Sequence, residues 1–177
     1  MYKATEADST IQRLEDGVFI GEGGPGWREY QEWVAAGNTP YPAQSATEAK
    51  AAKLEAIKAK RTAIKAGGVK VGTKWYHSDE TSRTQYIGLL RMADAAVAAG
   101  GTGTTTLQYG GQDIQWKTMD GTFIKMTVQR ANDVFNAVSG LDFAAFGAAE
   151  THKAAMEASA DPASYDFAAG WPATFAG

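Results

Sequence analysis

A chain of 177 residues holds one substantial core, or one core and a small appendage. Its apolar content of 44% and charged content of 21% are those of an ordinary folded protein, and a net charge of -3 excludes the basic footprint of a nucleic-acid binder. With no cysteine, disulfides, thiolate metal sites and thiol nucleophiles are excluded.

The chain opens Met1-Tyr2-Lys3 and continues into polar residues, so no signal peptide is expected. No window reaches the apolar length that crosses a bilayer, so no membrane span is expected. Residues 1–45 are loop-rich. A strand-like piece, Val18-Phe19-Ile20, follows an Asp16-Gly17 turn. The run Gly21-Glu22-Gly23-Gly24-Pro25-Gly26 then breaks the backbone. Trp27 to Ala36 reads as a helix of one or two turns, stopped by Gly37-Asn38-Thr39-Pro40. This segment concentrates Tyr2, Phe19, Trp27, Tyr30, Trp33 and Tyr41. It is too short to enclose so many aromatics alone. They must pack on the rest of this chain or on a partner; the partner is favoured, so an extended docking arm over 1–44 is expected, with Trp27, Tyr30, Trp33, Phe19 and Tyr41 as interface anchors.

Ser45 and Glu48 form a capping box for a helix to Ala66, ended by Gly67-Gly68. Its apolar stripe, Leu54, Ile57 and Ile64, is thin and padded by alanines. It suits one neighbour or a narrow trimeric seam. Its lysines, Lys50 to Lys65, read as a solvated face. Val69 to His77 reads as a hairpin turning at Gly72-Thr73. Ser78 is expected to cap a second helix to about Ala99, with Tyr86, Leu89, Leu90, Ala93 and Val97 on one face. A two- or three-stranded meander follows, turning at Gly110-Gly111 and Asp120-Gly121. Thr127 caps a third helix bearing Val128, Ala131, Val134, Phe135 and Val138. Gly140 and Gly147 threaten to break it. Asp161-Pro162 starts a last turn. Trp171 to Phe175 forms an aromatic tail.

The run Arg13 to Pro40, with Trp27-Arg28-Glu29-Tyr30-Gln31-Glu32-Trp33, resembles the short module of tailed-phage tail-fibre and baseplate-associated proteins. The run Leu54 to Phe175 is similar to a domain of unknown function common at the C-terminus of phage tail-fibre-like proteins. Its marks, in order, are the lysine-rich helix before Gly67-Gly68, Ser78-Asp79-Glu80-Thr81-Ser82-Arg83, Trp116-Lys117-Thr118 before Asp120-Gly121, and Asp166-Phe167 before Gly170-Trp171-Pro172. Fibre relatives often carry a proline after the first strand, where this chain has Gly21-Glu22-Gly23-Gly24. It also lacks a β-repeat shaft and a distal tip. The resemblance thus implies a particle-associated adaptor. It implies synthesis in a host cytoplasm, residence in the virion, other tail, baseplate or fibre proteins as partners, and a homotrimer.

The residues themselves offer little chemistry. His77 and His152 share no metal-ligand spacing, and no metal is expected. His77-Ser78-Asp79 reads as a helix start rather than a triad, because adjacent residues diverge and no nucleophile elbow is present. The glycine run at 21–26 lacks the Gly-Lys-Ser or Gly-Lys-Thr ending of a phosphate loop. Glu15-Asp16, Asp79-Glu80, Asp113 and Asp120 are explained by turns and caps. Trp75, Tyr76, Tyr109, Trp116 and Phe123 read as core packing. The expectation is an α+β protein: an extended N-terminal arm (1–44), then a C-terminal domain (45–177) of three main helices on a small antiparallel sheet. It is expected to be a non-enzymatic structural component of a phage tail, with no cofactor and no nucleic acid. The alternative is a tail-fibre assembly chaperone absent from the mature virion.

Overall fold

The computed structural model describes residues 1–5, 7, 9–43 and 46–176. They form an α+β fold in two compact units, Met1–Lys53 and Leu54–Gly177. The expected break at 44–45 and the cap at Ser45 lie outside the described residues.

The first unit is not an extended arm. Residues Tyr2–Ala4 (β1), Thr10–Arg13 (β2) and Phe19–Gly21 (β3) form a three-stranded antiparallel sheet in chain order. The turn between β2 and β3 uses Gly17 at φ 74°. Trp27–Ala35 forms helix α1. Its Trp27, Tyr30 and Trp33 sit at helical spacing and pack on Tyr2, Ile11 and Ile20, all of which are buried. The aromatics expected to need a foreign surface therefore find a local one. The elements not expected were β1 and β2, and the Tyr2 ring of β1 meets Tyr30 and Trp33 edge-on at 5.2 Å each. Gly26, the helix N-cap, sits at φ 89°, where a Cβ would stand 3.0 Å from Ile20 Cδ1.

Helix α2 spans Ala46–Ala66, and the boundary between the units falls within it. Val69–Val71 (β4) and Lys74–Tyr76 (β5) form the expected hairpin. Gly72 is at φ 61° and, among the described residues, no non-glycine has positive φ, so Thr73 keeps the negative φ that a type II′ turn requires. Helix α3 covers Glu80–Ala98. The expected meander is two separate two-stranded ladders: Gln108–Tyr109 (β6) with Gln112–Asp113 (β7), and Gln115–Lys117 (β8) with Phe123–Lys125 (β9). Helix α4, Val128–Ala158, starts on its Thr127 cap and runs unbroken through Gly140 and Gly147. A 3-10 turn, Pro162–Ser164, follows.

The main core lies between α3 and α4, built on Tyr86, Leu89, Ala93, Ala131, Val134, Val138, Leu141 and Ala145. Val69, Tyr76, Leu107 and Met126 join it from the strands and the segments beside them, and Trp116 packs against it with its ring 4.8 Å from Tyr86. The stripe expected on α2 divides its work. Ile64 enters this core, while Ile57 joins Ala149 and Met156 in a second cluster covered by Leu54, Tyr165, Phe167 and Trp171. The C-terminal domain thus has its three expected main helices, α2, α3 and α4, with small separate antiparallel ladders in place of one sheet.

The tail is held at two places. His152 stacks on Trp171 at 5.0 Å, and its ring nitrogens bond Tyr165 Oη at 3.0 Å and the Ala169 carbonyl at 2.9 Å. Phe175 N–H donates to the Gly67 carbonyl at 2.9 Å, and Thr174 lies where a Cβ on Gly67 would be.

Candidate functional site

Two places carry unspent surface. The first is the sheet of the N-terminal unit. Side chains alternate across a strand, and paired residues share a face. Tyr2, Ile11 and Ile20 point toward α1. Lys3 pairs with Gln12 and Gln12 with Phe19, so these three form a row on the opposite face. Tyr41 pairs with Lys3 in a parallel bridge, its N–H donating to Tyr2 O and its carbonyl accepting from Ala4 N–H, and extends the row by one. Phe19 is 65% and Tyr41 55% exposed, with Met1 beside Tyr41. The five anchors expected from sequence therefore separate. Trp27, Tyr30 and Trp33 are half-buried against their own sheet, and Phe19 and Tyr41 stand free on its other side. Arg13 holds the module closed, binding Asp16 at 2.6 Å and reaching Glu29 of α1 at 3.4 Å. Asp16 consequently titrates below the usual carboxylate range, first through the Arg13 hydrogen bond and then through the Val18 amide.

The second is a cavity of about 680 Å3 in the C-terminal unit, where the end of α2, the start of α3 and the middle of α4 meet. Its frame is a polar knot. Ser78 was expected to cap α3, but Asp79 does so, accepting from Ser82 N–H at 3.0 Å. That bond and one from the Ser82 hydroxyl hold the Asp79 carboxyl below its ordinary range. Ser78 is fully buried instead. Its hydroxyl donates to Lys65 O at 2.7 Å and accepts from Gly68 N–H at 2.8 Å, tying the end of α2 to the hairpin. Arg83 donates to Ser78 O, Lys65 O and Asp142 Oδ2 at 2.6, 2.9 and 2.7 Å. Lys65 Nζ lies 3.4 Å from Asp142 Oδ1. Arg61, Glu80 and Phe146 complete the lining. Arg83 ends the Ser78–Arg83 run, and Asp142 stands in no motif. The spacing of Asp142 from Arg83 carries no signal; only the packing of α3 on α4 joins them.

Asp113 and Asp120 are engaged in ion pairs of their own. Asp113 binds Lys125 at 2.8 Å, and Asp120 binds Lys74 at 2.7 Å besides Thr118 and Thr122. His77 contributes its carbonyl, which accepts from Tyr86 Oη at 2.8 Å. Burial raises the Tyr86 hydroxyl above its ordinary pKa. Among the described residues there is no group of three His, Asp or Glu side chains placed to hold a metal, and no helix long and apolar enough to cross a membrane.

The family model for a domain of unknown function (DUF4376) matches residues 48–169. No curated protein and no solved structure matches the chain.

Proposed function

The chain belongs to the DUF4376 family, a domain of unknown function; from the resemblance of Arg13–Pro40 and Leu54–Phe175 to tail-fibre modules we propose that it is a non-enzymatic structural component of a bacteriophage tail. In this reading it is a tail-fibre or baseplate adaptor made in the host cytoplasm and carried in the virion. It docks onto another tail, baseplate or fibre protein through its N-terminal unit. The observation that supports this reading most is the row Tyr41–Lys3–Gln12–Phe19. Two large aromatics stand exposed on one face of a sheet whose other face is already covered by α1. Aromatic side chains so presented are the usual anchors of an interface.

The homotrimer belongs to the same proposal, with α2 as its seam. Ala49, Ala52, Ala56, Ala59, Ala63 and Ala66 recur at alternating spacings of three and four, and all but Ala49 are exposed. Glu48 and Glu55 flank this stripe on one side, Lys53 and Lys60 on the other. In parallel copies each glutamate faces the lysine five positions on in its neighbour. The alternative, a fibre-assembly chaperone, would use the same aromatic face transiently.

Mass spectrometry of purified virions separates the two. Stoichiometric presence is expected, and its absence from particles that need it for assembly would favour the chaperone. Phe19→Asp with Tyr41→Asp should leave the melting temperature unchanged and abolish incorporation; normal incorporation would overturn the docking face. Ala59→Glu should shift the protein to monomer in analytical ultracentrifugation, and a wild-type monomer would remove the seam.

A further inference from the structure

From the polar cavity between α2, α3 and α4 we infer that it binds a ring-bearing carboxylate, with the carboxylate on Arg61 and Lys65 and the ring against Phe146. Its volume of about 680 Å3 falls within the roughly 300–1,000 Å3 of small-molecule sites.

The assignment follows from which lining charges are already spent. Each nitrogen of the Arg83 guanidinium already donates one bond, to two carbonyls and to Asp142. Asp79 gives both oxygens to Ser82. Asp142 is held by Arg83 on one oxygen and faces Lys65 on the other. Arg61 is half-buried, and no hydrogen bond or ion pair engages it among the described residues. A guanidinium partly withdrawn from water without a partner is a poor stabilising element and a ready carboxylate fork. Lys65 is the second cation, because its ammonium lies 3.4 Å from Asp142 Oδ1 without a hydrogen bond to it and keeps donors to spare. The remaining acid, Glu80, is exposed at the rim and stays solvated. A cationic ligand would meet Arg83 and Lys65 already beside Asp142, whereas an anionic one finds Arg61 open.

Phe146 lines the same cavity and is 55% exposed, so one part of its ring is free to receive an apolar or sugar ring. The carboxylate could come from an aromatic acid or from an acidic sugar. Glu80 is exposed at the rim and Arg61 is half-buried within.

The test is titration of the full chain, followed by amide chemical shifts, with benzoate, glucuronate, glucose and inorganic phosphate. Saturable binding of benzoate or glucuronate, centred on residues of the cavity, is expected, and glucose should not bind. Benzoate alone identifies an aromatic acid; glucuronate alone identifies an acidic sugar. Arg61→Gln should weaken binding roughly tenfold or more, with an unchanged melting temperature, since it removes a charge-assisted pair and no internal contact. Arg61→Lys should fall between the two. Phe146→Ala should weaken binding several-fold. If neither carboxylate saturates, or Arg61→Gln and Arg61→Lys both bind like wild type, the proposal fails. Phosphate binding as tightly as either carboxylate, or full affinity in Phe146→Ala, overturns the ring-bearing carboxylate.

Discussion

At the scale of single residues, the C-terminal unit depends on side chains that no motif announces. Trp116 packs against the main core with its ring on Tyr86. Truncating it to alanine should cost about 3 kcal/mol, at the lower end for a large aromatic because the residue is half-buried. Denaturant unfolding measures this, and a change below about 1 kcal/mol would mean the ring serves the surface instead. A second prediction concerns acid. Asp120 titrates below 3.8 through hydrogen bonds from Lys74, Thr118 and Thr122, in that order. A carboxylate with a lowered folded pKa stabilises fully above its unfolded value and loses that contribution as pH falls through the folded one. Asp120→Asn should therefore lower the melting temperature at about pH 7 and lose less than wild type between about pH 4 and pH 2. Parallel acid profiles for the two proteins would refute the assignment. Caps of this kind were partly legible: Thr127 and Asp161 hold the helical turns read from the sequence, whereas Ser78 yielded its cap to Asp79. Two adjacent cap-forming residues left the sequence reading with a choice. Burial decided it, because only Ser78 reaches Lys65 O and Gly68 N–H together.

At the scale of elements, periodicity carried the long helices and the hairpin, since α2, α3, β4 and β5 lie within a residue or two of where spacing and glycine breaks put them. It failed for β1, three residues whose strand character exists only because β2 lies beside them. The same short strand made the aromatics look homeless. Helix α4 is the opposite case, because its packing face overrides two helix-weakening glycines. Neither Gly140 nor Gly147 has a neighbour within 4 Å of an added Cβ. Gly140→Ala and Gly147→Ala should therefore each stabilise the unit by about 1 kcal/mol. Gly67→Ala should do the reverse, because its Cβ would fall on Thr174. Thermal unfolding of the three variants tests both signs, and a destabilising Gly140→Ala would mean another helix approaches there.

At the scale of the whole molecule, the two units have separate cores, with Tyr2, Ile11 and Ile20 in one and the α3–α4 layer in the other. Removing residues 1–44 should leave a cooperatively folding protein with the amide dispersion of the second unit and, on the proposed function, abolish incorporation into particles. If the shortened protein is molten, the N-terminal unit is part of its stability. The placement of Phe19 and Tyr41 apart from Trp27, Tyr30 and Trp33 could not be read from the sequence, because a strand's outer face is defined only once its inner face has a cover. The tail, finally, makes the second unit a closed circuit. Its last described residues return to Gly67, where the unit's first helix ends, so the backbone bond from Phe175 spans nearly the whole unit. Loop closure of that length costs entropy that only a nearly finished fold repays. The Phe175 amide is thus a clock for completion: its hydrogen stops exchanging with solvent when the rest has assembled, and exchanges first when the unit begins to open.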